Sequence, residues 1–329
     1  MKRKIIHLVG FLIILTVGIG FIENPYTSSY VDQIKYASIT VSKHQDNLYD
    51  EISAKSHEYN VPAQNAEIHK VWKATPGYNG LAVDVEESYK KMKDKGVFDE
   101  KLLVYRQVEP TVHLADLPAA PIYRGHPDKP MVSFLINVAW GNEYIPDMLE
   151  TLNKYHVKAT FFLEGRWVKE NPEMAKMIVD AGHEVGNHSY THPDMKQLSS
   201  SSIREQLTKT NEVIKSVTDV TPTWFAPPSG SFRDEVVKIA DEMNMETVMW
   251  SVDTIDWQRP EPHVLVQRVM GKVHNGALIL MHPTSSTSDS LETLILSVKQ
   301  KGYSFGSISM MVDEERLSTN DMNNKKMSD

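Results

Sequence analysis

From residue 131 onward, short apolar runs alternate with longer stretches in which apolar residues recur every three or four positions. The runs begin near Val132, Thr160, Glu184, Trp224, Thr247, Ala277 and Tyr303. Between most of them lie segments such as "IPDMLETLNKY" and "SSIREQLTKTNEVIKSV", whose periodicity is helical. Seven strands alternating with helices over about 190 residues predict a parallel α/β architecture, with a barrel as one closure. Chemistry in such folds gathers in the loops beyond the C-terminal ends of the strands.

The preceding part of the chain is less regular. "MKRK" followed by the 18-residue run "IIHLVGFLIILTVGIGFI" reads as a signal peptide or membrane anchor within residues 1–29. The length of the run and the lack of a clear small-x-small cleavage site favour an uncleaved anchor, and in both cases the positive charge sends the remainder outside. Residues 30–112 read as a polar stalk and a small α/β module, with a helix through Val85, Tyr89 and Met92 and a strand-like "KLLVYRQV". Prolines concentrated between Leu117 and Pro130 mark residues 113–130 as a linker, because proline fixes φ and donates no backbone hydrogen bond. The α/β domain is expected over 131–312 and a disordered polar tail over 313–329.

Composition narrows the partners. A hydrophobic share of 41% and a charged share of 24% suit a folded globular chain. The net charge of -8 gives no electrostatic reason to expect nucleic acid, which is bound mainly by basic patches. Cysteine is absent, so a metal could be held only by His, Asp or Glu. No organic cofactor is expected.

The strand ends carry the candidate chemistry. Asn137 and Val138 follow the first run, His188 and His192 the third, "FAPPSG" the fourth, "SVDTIDW" the fifth and "LMHP" the sixth. Two histidines four positions apart can converge on one divalent ion, but a catalytic zinc site normally takes three protein ligands. "GHEVGNHSYTHP", "WSVDTIDW" and "LILMHP" make residues 131–310 resemble the polysaccharide deacetylase family, also called the NodB-homology or carbohydrate esterase family. That resemblance implies a distorted (β/α)7 barrel. It further implies a zinc or other divalent ion and removal of N- or O-acetyl groups from a cell-wall or chitin-like glycan.

Roles follow from the resemblance position by position. His188 and His192 match the metal-binding histidines, and the third ligand, an aspartate in the family, is Val138 here. Asn137 stands at the general base, and an amide cannot accept that proton. Ala226 stands at the arginine that orients the base, and Ser229, next to Pro228, at an aromatic position of the same motif. Asp256, His282, Trp257 and Leu280 match the acid that tunes the catalytic histidine, the general acid and the two walls of the acetyl pocket. Loss of the arginine together with the carboxylate is coherent, since a partly buried guanidinium left unpaired costs several kcal/mol.

Plainer readings stand beside these. The two histidines could be hydrogen-bonded loop residues, with Asp194 or Asp253 as substitute ligands if a metal binds. Asp256 could cap the helix that begins near Glu261 or pair with His282, and pairing is favoured. Asn137 could hydrogen-bond a sugar amide or be a spectator. The expected function is therefore a deacetylase-like envelope protein with a degenerate site that binds acetylated glycan. The alternatives are an active deacetylase with a rearranged site, and a structural protein working through the 60–112 module.

Overall fold

The structure is a computed structural model that describes residues 47–317. The expected signal peptide or anchor, the first part of the stalk and the end of the polar tail lie outside the described residues. Among the described residues no helix is long and apolar enough to cross a membrane.

The chain divides into two units. The described part of the smaller one comprises residues 47–59 and 83–104. Helix α1 (Asn47–Tyr59) buries Leu48 and Ile52, and α2 (Val85–Met92) starts where the Asp84 carboxylate accepts the Glu87 N–H. Tyr49 and Tyr89 meet edge to face at 5.7 Å. The described part of the larger unit holds residues 60–82 and 105–317, so much of the expected 60–112 module groups with the α/β domain. Its first elements are a hairpin of β1 (Glu67–His69) and β2 (Lys73–Thr75) and the pair β3 (Gly80–Val83) and β4 (Tyr105–Val108).

The main sheet contains β5 (Met131–Val138), β6 (Thr160–Leu163), β7 (Glu184–Asn187) and β8 (Trp224–Phe225), followed by β9 (Glu246–Thr247), β10 (Val252–Asp253), β11 (Ala277–Met281) and β12 (Ser304–Phe305). Its strand order is β10-β11-β5-β6-β7-β8-β9, all parallel, with β12 paired to the start of β5. The intervening helices are α3 (Ile145–Lys154), α4 (Gly165–Glu170), α5 (Pro172–Asp180), α6 (Ser200–Thr218), α7 (Asp234–Glu242), α8 (Pro262–Met270), α9 (Ser285–Gln300) and α10 (Ile308–Val312). The result is the curled parallel sheet of the expected distorted (β/α)7 barrel. The two-residue β10 escaped the hydrophobic pattern because "SVD" offers a single apolar position.

Period-two alternation along β5 sorts its side chains between two cores. Val132, Phe134, Ile136 and Val138 join Ile145, Met148, Leu291 and Ile295 between sheet and helices. Met131 and Leu135 join Phe162, Trp224, Ala226 and Leu278 inside the curl. The strands β9 and β10 at the two edges of the sheet do not pair with each other, and the proline-rich segment occupies that gap. Ile122 N–H donates to Thr247 O at 2.9 Å, Met249 N–H returns to Ile122 O at 2.8 Å, and Gly125 N–H reaches Gly276 O at 2.8 Å. Ile122 is fully buried, so this part of the expected linker is a piece of the barrel wall.

Register brings the strand ends together. Val138 pairs with Leu163, Leu163 with Asn187 and Asn187 with Phe225, while Asp253 pairs with Leu280. Residues immediately beyond these positions therefore share one rim, although together they span more than a hundred positions of sequence.

Candidate functional site

A cavity of about 490 Å³ opens at that rim. Asn137, His188, His192, Ser229, Trp257, Leu280 and His282 line it, joined by Ala139, Trp140, Trp250 and Asp253. Asp256 lies behind His282, fully buried, and Pro228 is buried outside the lining.

The histidine loop leaves β7 through two residues in the left-handed region, Ser189 (φ 63°) and His192 (φ 54°). Side chains hold this costly backbone in place. The Asn187 side chain accepts from Ser189 N–H at 2.8 Å, and Gln206 accepts from the N–H groups of Tyr190 and Thr191 at 2.9 Å. The rings of His188 and His192 meet edge to face at 5.0 Å. His188 Nδ1 lies 2.7 Å from the Ala226 carbonyl, which can only accept, so Nδ1 carries the proton and Nε2 has the lone pair. Burial pushes the His188 pKa down to about 3, helped by the neighbouring His192, and burial also lowers His192. Both rings are neutral at physiological pH, the state in which imidazole ligates metals.

A third ligand does not join them. Val138 is fully buried in the apolar layer between sheet and helices and does not line the cavity. Asp194 is engaged elsewhere: its Oδ1 accepts from Lys196 N–H and from the Ser231 hydroxyl. Asp253 faces the cavity, but its Oδ1 accepts from Ile255 N–H at 2.8 Å. Among the described residues no group of three or more His, Cys, Asp or Glu side chains is arranged to hold a metal. The donor set thus does not fit a three-ligand catalytic ion.

The opposite wall is fully assembled. His282 Nδ1 lies 2.8 Å from Asp256 Oδ1, and Asp256 Oδ2 accepts from the His282 backbone N–H at 2.5 Å and from the Thr287 hydroxyl at 2.6 Å. Asp256 therefore partners His282, while the helix starting at Pro262 has no side-chain cap from Glu261. A carboxylate only accepts, so Nδ1 donates and the far nitrogen of His282 is left for the cavity. Asn137 is 4% exposed and its Oδ1 has no hydrogen-bond partner.

Sequence reasoning missed Trp140 and Trp250. Trp140 follows Asn137 by three positions and lies parallel to the His282 ring, 5.9 Å away at 9°. A tryptophan within the polar strand-end stretch "AWGNE" was the available signal. Gly141 (φ 83°) fixes this loop, since a Cβ there would stand 2.0 Å from Pro283 O. Asn142 Oδ1 accepts from Trp167 Nε1 at 2.6 Å and anchors the loop's far side.

Comparison with known proteins agrees with this geometry. Residues 124–248 match the family described as polysaccharide deacetylase. The uncharacterized protein YlxY of Bacillus subtilis (strain 168) is 56% identical over 317 residues, 96% of this chain and 99% of that protein. The crystal structure of a CE4 family pseudoenzyme from Bacillus anthracis is 63% identical, covers 83% of this chain and 97% of that one, and gives a TM-score of 0.78. A mutant of that pseudoenzyme with restored enzymatic activity is 61% identical, at a TM-score of 0.78 over 82% of this chain and 99% of that one. A peptidoglycan-N-acetylglucosamine deacetylase of Bacillus cereus is 34% identical over 174 residues, 51% of this chain and 63% of that enzyme.

Proposed function

The chain belongs to the polysaccharide deacetylase family, the family 4 carbohydrate esterases, and from that premise we propose that it is an extracytoplasmic glycan-binding protein without deacetylase activity. The observation that carries this reading is the state of two adjacent residues at the end of β5. Asn137 faces the cavity with an amide where the family places its base, and Val138 is packed into the apolar core. A positioned base contributes about 10²- to 10⁴-fold to such a reaction, and an amide supplies none of it. The metal's contribution falls with the missing third donor.

What remains suits binding. Leu280 and Trp257 give apolar walls for an acetyl methyl group, and the Asn137 amide matches the hydrogen-bonding pattern of an acetamido group. The substrate of the Bacillus cereus relative, as its name gives it, is an N-acetylglucosamine of peptidoglycan, which supports an N-acetylated wall glycan as the ligand and a site of action outside the cytoplasm. The apolar run at residues 5–22 supports retention at the outer face of the membrane.

Hydrolysis by a rearranged site has one observation in its favour, the intact Asp256–His282 pair. Calorimetric titration with N-acetylchitotetraose and its fully deacetylated counterpart, paired with an acetate assay, separates the two readings. Binding of the acetylated chain without acetate release supports a binding protein. Acetate release with turnover overturns it.

A further inference from the structure

Two of the large apolar side chains left most open to solvent are tryptophans, Trp140 at 47% and Trp257 at 57%, and both line the one cavity. Apolar surface exposed at a concave, largely apolar site with a few convergent polar groups is the signature of a ligand groove. Trp140 is also fixed in orientation. Its ring lies parallel to His282, which is tied by two hydrogen bonds to a fully buried carboxylate, and Gly141 locks the adjoining backbone against Pro283. A rigid, half-open indole wall is suited to the apolar C–H face of a pyranose ring, because its area is gained with little loss of side-chain freedom.

We propose that Trp140 is the sugar-stacking platform of this site, and that the Asp256–His282 pair serves as its support. This rests on the reading of the cavity as a glycan site. It assigns a use to a histidine whose catalytic partners are missing: the imidazole holds the indole at a fixed angle over the cavity mouth. The ligand class is a chain of N-acetylhexosamines. One residue places its acetamido group toward Asn137, whose Oδ1 is unpartnered, and a neighbouring ring stacks on Trp140.

The test uses the full chain and N-acetylchitotetraose followed by calorimetry. Trp140→Ala is expected to weaken binding at least about tenfold, as loss of a central aromatic anchor does, and Trp140→Phe to keep most of it. His282 is a positioning residue here, so His282→Ala should weaken binding and shift the Trp140 indole resonance of the unliganded chain, while Asp256→Asn, whose amide oxygen still accepts from the imidazole, should keep most of the affinity. Indole ¹⁵N–H spectra of the unmodified chain give a readout free of folding defects, in which the Trp140 resonance shifts on titration. If the unmodified chain binds no N-acetylated oligosaccharide, the glycan-site reading itself fails. If it binds but Trp140→Ala binds as tightly and the Trp140 resonance stays fixed, the stacking assignment is overturned and the function stands. If His282→Ala binds as tightly as the unmodified chain and leaves the Trp140 resonance in place, the support role is overturned.

Discussion

Asp256 Oδ1 sits 2.8 Å from His282 Nδ1, fully buried behind the cavity that Asn137, His188 and His192 line. Three donors converge on this fully buried carboxylate: the imidazole, the His282 backbone N–H and the Thr287 hydroxyl. Charge-assisted bonds of this kind offset the desolvation of the carboxylate, so the residue stabilises the fold whether or not it takes part in catalysis. Asp256→Ala leaves those donors without an acceptor and is expected to cost about 2–4 kcal/mol in urea unfolding. Asp256→Asn should cost less, because the amide oxygen still accepts. An unchanged midpoint for Asp256→Ala would show that the pair adds nothing to stability.

Gly141 couples the Trp140 loop to the β11 loop. With φ at 83° and a Cβ position 2.0 Å from Pro283 O, alanine there meets both backbone strain and a backbone clash. Gly141→Ala is expected to lower stability by about 1–3 kcal/mol. It should also weaken glycan binding, since relief of the clash moves Trp140 off His282. Normal affinity in a destabilised variant would separate the loop from the binding surface.

Acid sensitivity arises at the buried His188 of the cavity and also at two histidines away from it. His126 stacks on Tyr78 at 4.8 Å, and its Nδ1 accepts from Asp128 N–H. His183 Nδ1 accepts from Ala159 N–H. Burial lowers both pKa values from 6.5 to about 4, so the folded state holds both rings neutral while the unfolded chain protonates them near 6.5. Between those values the unfolded state binds more protons, and stability falls as pH drops from 6.5 to 4. Each ring contributes up to about 3 kcal/mol to that loss. Urea midpoints across this window should decline for the unmodified chain and decline less for His126→Gln and His183→Gln. Parallel profiles in all three would remove these residues from the acid response.

The barrel was legible because the central strands β5, β6 and β11 are largely apolar runs and the long helices keep their period, as α3 and α6 do within a residue or so of their expected bounds. The site was legible because the histidine, aspartate and proline motifs lie directly at the strand ends that register aligns. What escaped depended on long-range packing. Prolines between 117 and 130 signal a linker by local chemistry alone, yet Ile122 completes the barrel wall through hydrogen bonds to Thr247 and Met249. The orientation of Val138 toward the helix layer follows from strand parity once β5 is known to extend to that residue, and Trp140 gains meaning only when His282 is found parallel to it.

Acetate release from N-acetylated peptidoglycan fragments and chitooligosaccharides measures the central claim most directly. The unmodified chain is compared, with zinc supplied, to the combined variant Asn137→Asp, Val138→Asp, Ala226→Arg. The expected result is background release by the unmodified chain and at least about 10²-fold more by the variant, the contribution of a positioned base. Zinc should also raise the melting temperature of the variant. Release by the unmodified chain at the variant's rate would contradict the assignment of Asn137 and Val138 as the lesions that silence this site.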